Sequence, residues 1–339
     1  MAYTYTQFDN ADDIVTQVSE IQTAPIWSDN TATLTSFYTS STQSGSVNVN
    51  SYLEILDGTT STATTQFAIT YGHYAGSGSA DYDNTSKPGV SPSRAIYGQY
   101  ANMLLPDGTD KFTVGGTECN GIIVININRA RFKEQLDPGN WQLNLDANGK
   151  HSSDILHLID SSDSATSTIN EAGRVYDVVS GSITEGPKST SNSHICGKVF
   201  VDQGVIVLDP EKLEDKTTYV HGDASNTFGN NVADFLRAMT GSANGATPKF
   251  TARNKEEVKS THYFVRVKNQ AYNYSDNPTF VTGSDATLRY ADFKNNPNTY
   301  ITTVGMYDDN DNCLAIAKLS KPLLKSFSRE ALIKVKLEY

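Results

Sequence analysis

A chain of 339 residues with 27 Lys and Arg against 38 Asp and Glu carries a formal net charge of −11, which argues against a nucleic-acid partner because phosphate binding needs a basic patch. Hydrophobic residues make up 37% and charged residues only 19%, with Ser, Thr and Asn filling the gap and 18 Tyr suited to partly wet contact surfaces. No apolar run is long enough to cross a membrane, and the first residues lack the basic and apolar regions of a signal peptide, so the expectation is a soluble chain made in a cytoplasm, with no membrane partner.

In chain order, the first predicted element is a short helix capped by Asn10, with Asp12 and Asp13 in its first turn and Ile14, Val18 and Ile21 on one face. Thr/Ser-rich chain follows, with sparse apolar residues such as Leu34, Phe37, Leu53 and Ile55. It reads either as edge strands or as an extended arm that orders only against neighbours; alternation in Tyr52-Leu-Glu-Ile55 and the turn pair Asp57-Gly58 favour strands. A Gly, Ser, Asp and Pro loop spans Tyr74 to Pro92, and a helix opens there carrying Ala95, Ile96, Tyr100, Met103 and Leu104.

Gly121 to Ile127 is a nearly continuous apolar run of strand length, the pattern of a central strand covered on both faces. Trp141 to Leu145 and Ile155 to Ile159 read as a hairpin around Asn148-Gly149. Val175 to Val179, Lys198 to Val201 and Val205 to Leu208 continue the strands, the last two joined by Asp202-Gln-Gly204. A second helix runs from Asn230 as cap through Phe235 and Met239 to a stop at Gly241, and Gly, Ala, Asn and Pro at 241–248 look like a domain link. Beyond it, Tyr263 to Lys268, Tyr300 to Met306, Leu314 to Leu319 and Leu332 to Leu337 are strands that alternate apolar with polar, each expected to bury one face. The fold class is therefore mainly β: antiparallel, sandwich-like modules with two or three short helices and long loops. Expected divisions are an arm or edge-strand segment at 1–60, a central domain at 61–245 and a C-terminal antiparallel domain at 246–339.

No catalytic, metal or cofactor site is indicated. Cys119, Cys196 and Cys313 are far apart, form no Cys-x-x-Cys, and read as buried small hydrophobes. His151 and His157 are too far apart on a strand to share a metal. Tyr307 to Asn312 has the acids of a calcium loop without its central glycine or closing glutamate, and reads as a solvated turn. Paired carboxylates for glycoside hydrolysis are possible in any chain this acidic, and no spacing singles out a pair. The segment Arg129 to Trp141 combines cations, anions and an aromatic residue at the exit of the buried strand. It reads either as a pinned connection or as a contact surface whose arginines bridge a neighbour's carboxylates. Candidate interaction residues are Arg129, Arg131 and Trp141 there, and Tyr3, Tyr5 and Phe8 in the N-terminal arm.

Several whole segments resemble virion structural proteins of contractile-tailed phages, especially the T-even-like phages of marine cyanobacteria. They are Ser93-Arg-Ala-Ile-Tyr-Gly-Gln-Tyr100, Val124-Ile-Asn-Ile-Asn-Arg-Ala-Arg131 with Leu136-Asp-Pro-Gly-Asn-Trp141, Tyr263-Phe-Val-Arg-Val-Lys268 with Tyr272-Asn-Tyr-Ser-Asp-Asn-Pro-Thr-Phe280, and Ala317-Lys-Leu-Ser-Lys-Pro-Leu-Leu-Lys325. The resemblance runs from about residue 65 to the end and implies a baseplate wedge component in the virion. Its implied partners are other baseplate or tail proteins and a second copy as a homodimer. It implies no enzymatic activity, and a receptor- or carbohydrate-binding tail module is the alternative.

Overall fold

The structure, a computed structural model, describes residues 6–39, 52–76, 92–150, 154–164, 167–221, 230–241, 249–275, 277–283, 285 and 287–338. It is mainly β, at 46% strand and 13% helix. The longer strands are β1 (Ile14–Pro25), β2 (Tyr52–Leu56), β3 (Thr65–His73), β4 (Gly121–Ile127), β5 (Gln142–Asp146), β6 (Ile155–Asp160), β7 (Gly173–Ser182), β8 (Ile195–Phe200), β9 (Val205–Leu208), β10 (Arg253–Val267), β11 (Asn298–Tyr307), β12 (Cys313–Ser326) and β13 (Ala331–Glu338). The helices are α1 (Ser93–Leu104), α2 (Arg129–Phe132), α3 (Pro210–Glu214) and α4 (Asn230–Thr240).

The chain forms two compact units, one of residues 22–256 and one that joins residues 1–21 to 257–339. Composition marks breaks at 60/61 and 245/246 instead. The difference has a physical source: Phe250–Thr251 pairs with Gln142 and Leu143 and also with Thr33–Leu34, which ties both flanks to the larger unit's sheet. The expected link at 242–248 lies outside the described residues.

The larger unit is built on a thirteen-stranded curled sheet. Eleven of its strands run in the order Thr33–Leu34, Phe250–Thr251, β5, β6, β7, β8, β9, β4, β3, β2 and Tyr38–Thr39, Thr168–Asn170 and Gly186–Pro187 pair with β7 off this path, and these neighbours are antiparallel. β4 sits between β9 and β3, as its unbroken apolar run predicts. Ile123, Ile125 and Ile127 point into one core with Phe67, Trp141, Leu156, Phe235 and Met239. Ile122 and Val124 point into a second with Tyr97, Leu104, Phe112 and Val207. Thus α4 covers one face and α1 the other. At Gly72 a Cβ would stand 2.8 Å from the backbone nitrogen of Tyr97, so glycine lets α1 lie directly on β3. The predicted hairpin forms in register Leu143↔Leu158, with Asn148 and Gly149 at φ 38° and 83°. Asp57 closes the β2–β3 turn by accepting from the Ser28 and Thr64 hydroxyls, each at 2.6 Å, and these bonds pull its pKa down to about 2.

In the smaller unit, β10 from Glu257 onward pairs with β1 and with β13, in register Tyr263↔Val335. The helix expected at Asn10 is instead a turn followed by β1. Asp9 accepts from the Ala11 and Asp13 amides at 2.9 and 2.8 Å, closing one helical turn, and then the β-branched Ile14, Val15, Thr16, Val18, Ile21 and Thr23 favour extended pairing with β10 over continued helix. β11 and β12 form a separate two-stranded ribbon. Its Ile301, Val304, Met306, Ala315, Ala317, Leu319 and Leu323 share a small core with Val267, Ile333 and Val335. Lys325 has no exposed surface; its ammonium donates to the carbonyls of Asn269 at 2.9 Å and Ser326 at 3.0 Å and to Asn273 Oδ1 at 3.0 Å.

Candidate interaction surface

The ribbon of the smaller unit shows one apolar row to its core and a second to solvent. On the outward side Tyr300 lies opposite Leu324, Thr303 opposite Lys318 and Gly305 opposite Ile316. Tyr300, Leu314 and Ile316 are 64%, 69% and 67% exposed, so alternation here does not put large apolar groups only on the inside. A Cβ on Gly305 would stand 2.8 Å from the Tyr307 ring, so the missing side chain lets that ring lie down on the strand beside Ile316. The ribbon's turn is self-contained. Asp308 accepts from the amides of Asn310 at 2.9 Å and Asn312 at 2.7 Å and from the Asn312 side chain at 2.9 Å, and these bonds hold its pKa below the usual carboxylate range. Its acid-rich loop is therefore a closed turn.

The candidate interaction residues are dispersed. Tyr3 and Tyr5 lie outside the described residues. Phe8 is half-buried and packs on Tyr263 with ring centroids 5.5 Å apart, an internal contact of the smaller unit. In the larger unit Arg129 is exposed, with its guanidinium 5.1 Å from the Phe132 ring centroid. Arg131 is half-buried and donates to Thr64 Oγ1 at 3.1 Å. Trp141 has no exposed surface and belongs to the core, which corrects its reading as a contact anchor: the turn before it aims the indole inward. That turn closes through the Asn140 amide on the Asp137 carbonyl at 3.1 Å, with Gly139 at φ 79°. Of the three candidates in this segment, Arg129 alone is exposed. The Lys133 ammonium is 2.6 Å from Glu256.

A polar cleft of about 590 Å³ adjoins the same turn, lined among others by Asp137, Asp160, Asp163, Arg174, Tyr176 and Lys255. Burial pushes the Asp137 pKa up. Asp160 is fully buried and accepts the Gly139 amide at 2.8 Å and the Ser162 amide at 2.9 Å, while Asp137 accepts from the Asn140 side chain at 2.6 Å. Arg174 donates to Gln135 and, at 3.3 Å, to Asp202. These carboxylates are engaged in holding the turn, which is a structural use of buried acids.

Other reactive groups are similarly committed. The Cys119 thiol donates to Asp209 at 3.2 Å, and burial pushes its pKa far up, leaving it a poor nucleophile. Cys196 is buried too, but Cys313 is exposed at the start of β12, against the expectation of three buried thiols. His157 Nδ1 lies 2.8 Å from Asn144 Oδ1. Among the described residues no group of three or more His, Cys, Asp or Glu could hold a metal ion, and no helix is long and apolar enough to cross a membrane.

No known family model, no curated protein and no solved structure matches the chain. The outward ribbon face was missed by sequence reasoning, although one signal was present: β11 has no charged residue and no proline along its ten positions.

Proposed function

We propose that the chain is a structural component of a phage virion, a tail baseplate wedge protein that works through contacts with other baseplate or tail proteins. The observation that supports this best is the outward ribbon face, where Tyr300, Leu314 and Ile316 stand in solvent on a narrow sheet. Large apolar side chains grouped on one face suit burial against another protein. The segment resemblances noted above support the particle, and the exposed face supports contact as the mode of action. Immunogold labelling of purified phage before and after tail contraction tests it. Gold at the tail tip is the expected result; gold on the capsid would overturn the baseplate assignment, and absence of the chain's peptides from purified particles by mass spectrometry would overturn the virion role.

A carbohydrate-binding tail module is the second reading, supported by the polar cleft with Tyr176 in its wall. Glycan-array binding that is lost in Asp163→Asn is its expected signature, and an array without any signal would dismiss it.

A further inference from the structure

β4 of the larger unit is apolar along its whole length except at Asn126, and Asn126 is also its one exposed residue. Ala68 of β3 and Val205 of β9 stand beside it in one cross-strand row. On the same side of the sheet α1 covers Ile122 and Val124, but it ends at Leu104 and stops short of Asn126. A groove of about 450 Å³ opens there, within the range of about 300–1,000 Å³ usual for ligand sites. Met103, in the last turn of α1 and 43% exposed, lines it together with Arg129 and Phe132 of α2. Two of its polar groups are uncommitted: among the described residues the Asn126 side chain makes no hydrogen bond and Arg129 has no acid partner. The Arg129 guanidinium lies 5.1 Å from the centroid of the Phe132 ring, which steadies the fork without using its donors. Arg129 is also the only charged residue among those that line the groove. The neighbouring acid, Asp202, is taken up by the amide and the guanidinium of Arg174.

We infer that this groove binds the carboxyl terminus of another protein's chain, with the terminal carboxylate on Arg129 and an apolar last side chain against Met103 and Ala68. Charge narrows the head group. A carboxylate brings one negative charge and a planar pair of acceptors that match the guanidinium fork. A phosphate monoester would bring about −1.5 to −2 at neutral pH to a groove lined by a single cation. Polarity narrows the rest. A fatty acid would match the charge but cover the Asn126 amide with methylenes, whereas a peptide bond offers that amide both a donor and an acceptor. A chain terminus also carries its carboxylate and its last side chain on one residue, so a single short segment meets the cation and the apolar lining together.

The test uses the full chain and short acetylated peptides, with binding followed by calorimetry. A Ser-Thr-Ser-Leu peptide with a free carboxyl terminus is expected to bind at least about tenfold tighter than the same peptide amidated. Arg129→Gln, a change at an exposed position, should erase that difference and leave the thermal unfolding midpoint where it is. Asn126→Ala should weaken the free-acid peptide by about threefold or more, through the lost hydrogen bond. Equal binding of the acid and the amide, or a difference that survives Arg129→Gln, would overturn the carboxylate assignment. Octanoate that binds as tightly as the peptide, and is indifferent to Asn126→Ala, would overturn the peptide and give the groove to fatty acids. An amidated peptide with an internal Asp that binds as well as the free acid would overturn the terminus in favour of a side-chain acid. No binding of any probe at millimolar concentration would overturn the inference altogether. The groove belongs to the larger unit and the ribbon face to the smaller, so these outcomes and the particle labelling are decided separately.

Discussion

Residues 22–256 and the unit of 1–21 with 257–339 are both built from antiparallel strands of period two, and they use that period differently. In the larger unit the sheet is covered on both faces, by α1 with its aromatic cluster and by α4, so β4 has six of its seven residues buried. In the smaller unit a three-strand sheet and a two-strand ribbon share one thin core of Val267, Met306, Ile333 and Val335, and β12 buries only Lys325 fully. Period two says which residues share a face; whether the face is dry depends on how many layers stand over it. A unit with one core leaves an apolar row in solvent, and the proposed contact function would cover it.

The sharpest way to break this comparison is a truncation in each core. Trp141→Ala should cost the larger unit about 3–5 kcal/mol, because the indole is wholly buried in the same core as Leu143 and Leu145 and its removal leaves a large cavity. Among the described residues its Nε1 has no hydrogen-bond partner, so the expected loss is chiefly one of packing. Ile333→Ala in the smaller unit should cost about 2 kcal/mol, at the low end for such a change, since its core is thin and neighbours can close in. Urea unfolding measures both. Trp27 and Trp141 both belong to the larger unit, so Trp fluorescence reports that unit in variants that keep them, and hydrogen exchange is needed for the other and for Trp141→Ala. Equal costs would show that the smaller unit is as deeply packed as the larger.

Lys325→Met comes next, at about 1–3 kcal/mol of destabilisation in the smaller unit. The change keeps the volume and removes all three donors, leaving the carbonyls of Asn269 and Ser326 and the Asn273 side chain without their ammonium. Burial already pushes the Lys325 pKa down, with Glu330 opposing, so the charge is held by neutral oxygens rather than by a buried partner acid. Faster exchange of amides around Asn269 to Asn273 is the expected signature; unchanged exchange would mean that the loop stands without the lysine.

Much of the larger unit was legible from residue pattern because its signals are local. The unbroken run at β4, the Asn148-Gly149 turn, the stop of α1 before Pro106-Asp107-Gly108 and the Gly241 stop of α4 each need only a few neighbouring residues to be read. The errors arose where distant chain decides. Asn10 with Asp12 and Asp13 looks like a helix start, yet β10 lies some 250 residues away and claims Ile14 onward as a strand. Trp141 follows a polar turn and looks displayed, and only the assembled sheet shows it pointing inward. The burial of Lys325 has no local sign in its lysine-rich strand, because two of its three oxygen partners come from residues 269 and 273.

A pH effect distinguishes the units more gently. His73 is buried in the larger unit, its Nδ1 accepts the Ala75 amide at 3.1 Å, and burial first and the nearby His221 second push its pKa below 6.5. A ring that resists protonation when folded, and accepts it at 6.5 when unfolded, stabilises the fold fully above pH 6.5 and loses that contribution as pH falls through 6.5 towards the folded value. Urea midpoints of the larger unit should therefore decline below pH 6.5, and His73→Gln should flatten that decline. A parallel slope in the variant would assign the acid sensitivity to other groups.

The smallest expected effect is on the outward ribbon face. Leu314→Thr and Ile316→Thr each remove apolar surface that already stands in water, and threonine keeps strand propensity at both positions. Nothing is uncovered and no cavity forms, so the isolated chain should change by no more than about 0.5 kcal/mol in either direction. Incorporation of the chain into particles should nevertheless fall, because the proposed contact would bury the same surface. A thermal unfolding midpoint that drops by several degrees in either variant would show that the face is already covered within the free chain. The contrast between a fully covered body and a half-covered ribbon would then disappear, and with it the reason to look for a partner there. Midpoints that hold while incorporation falls would locate the missing layer outside this chain.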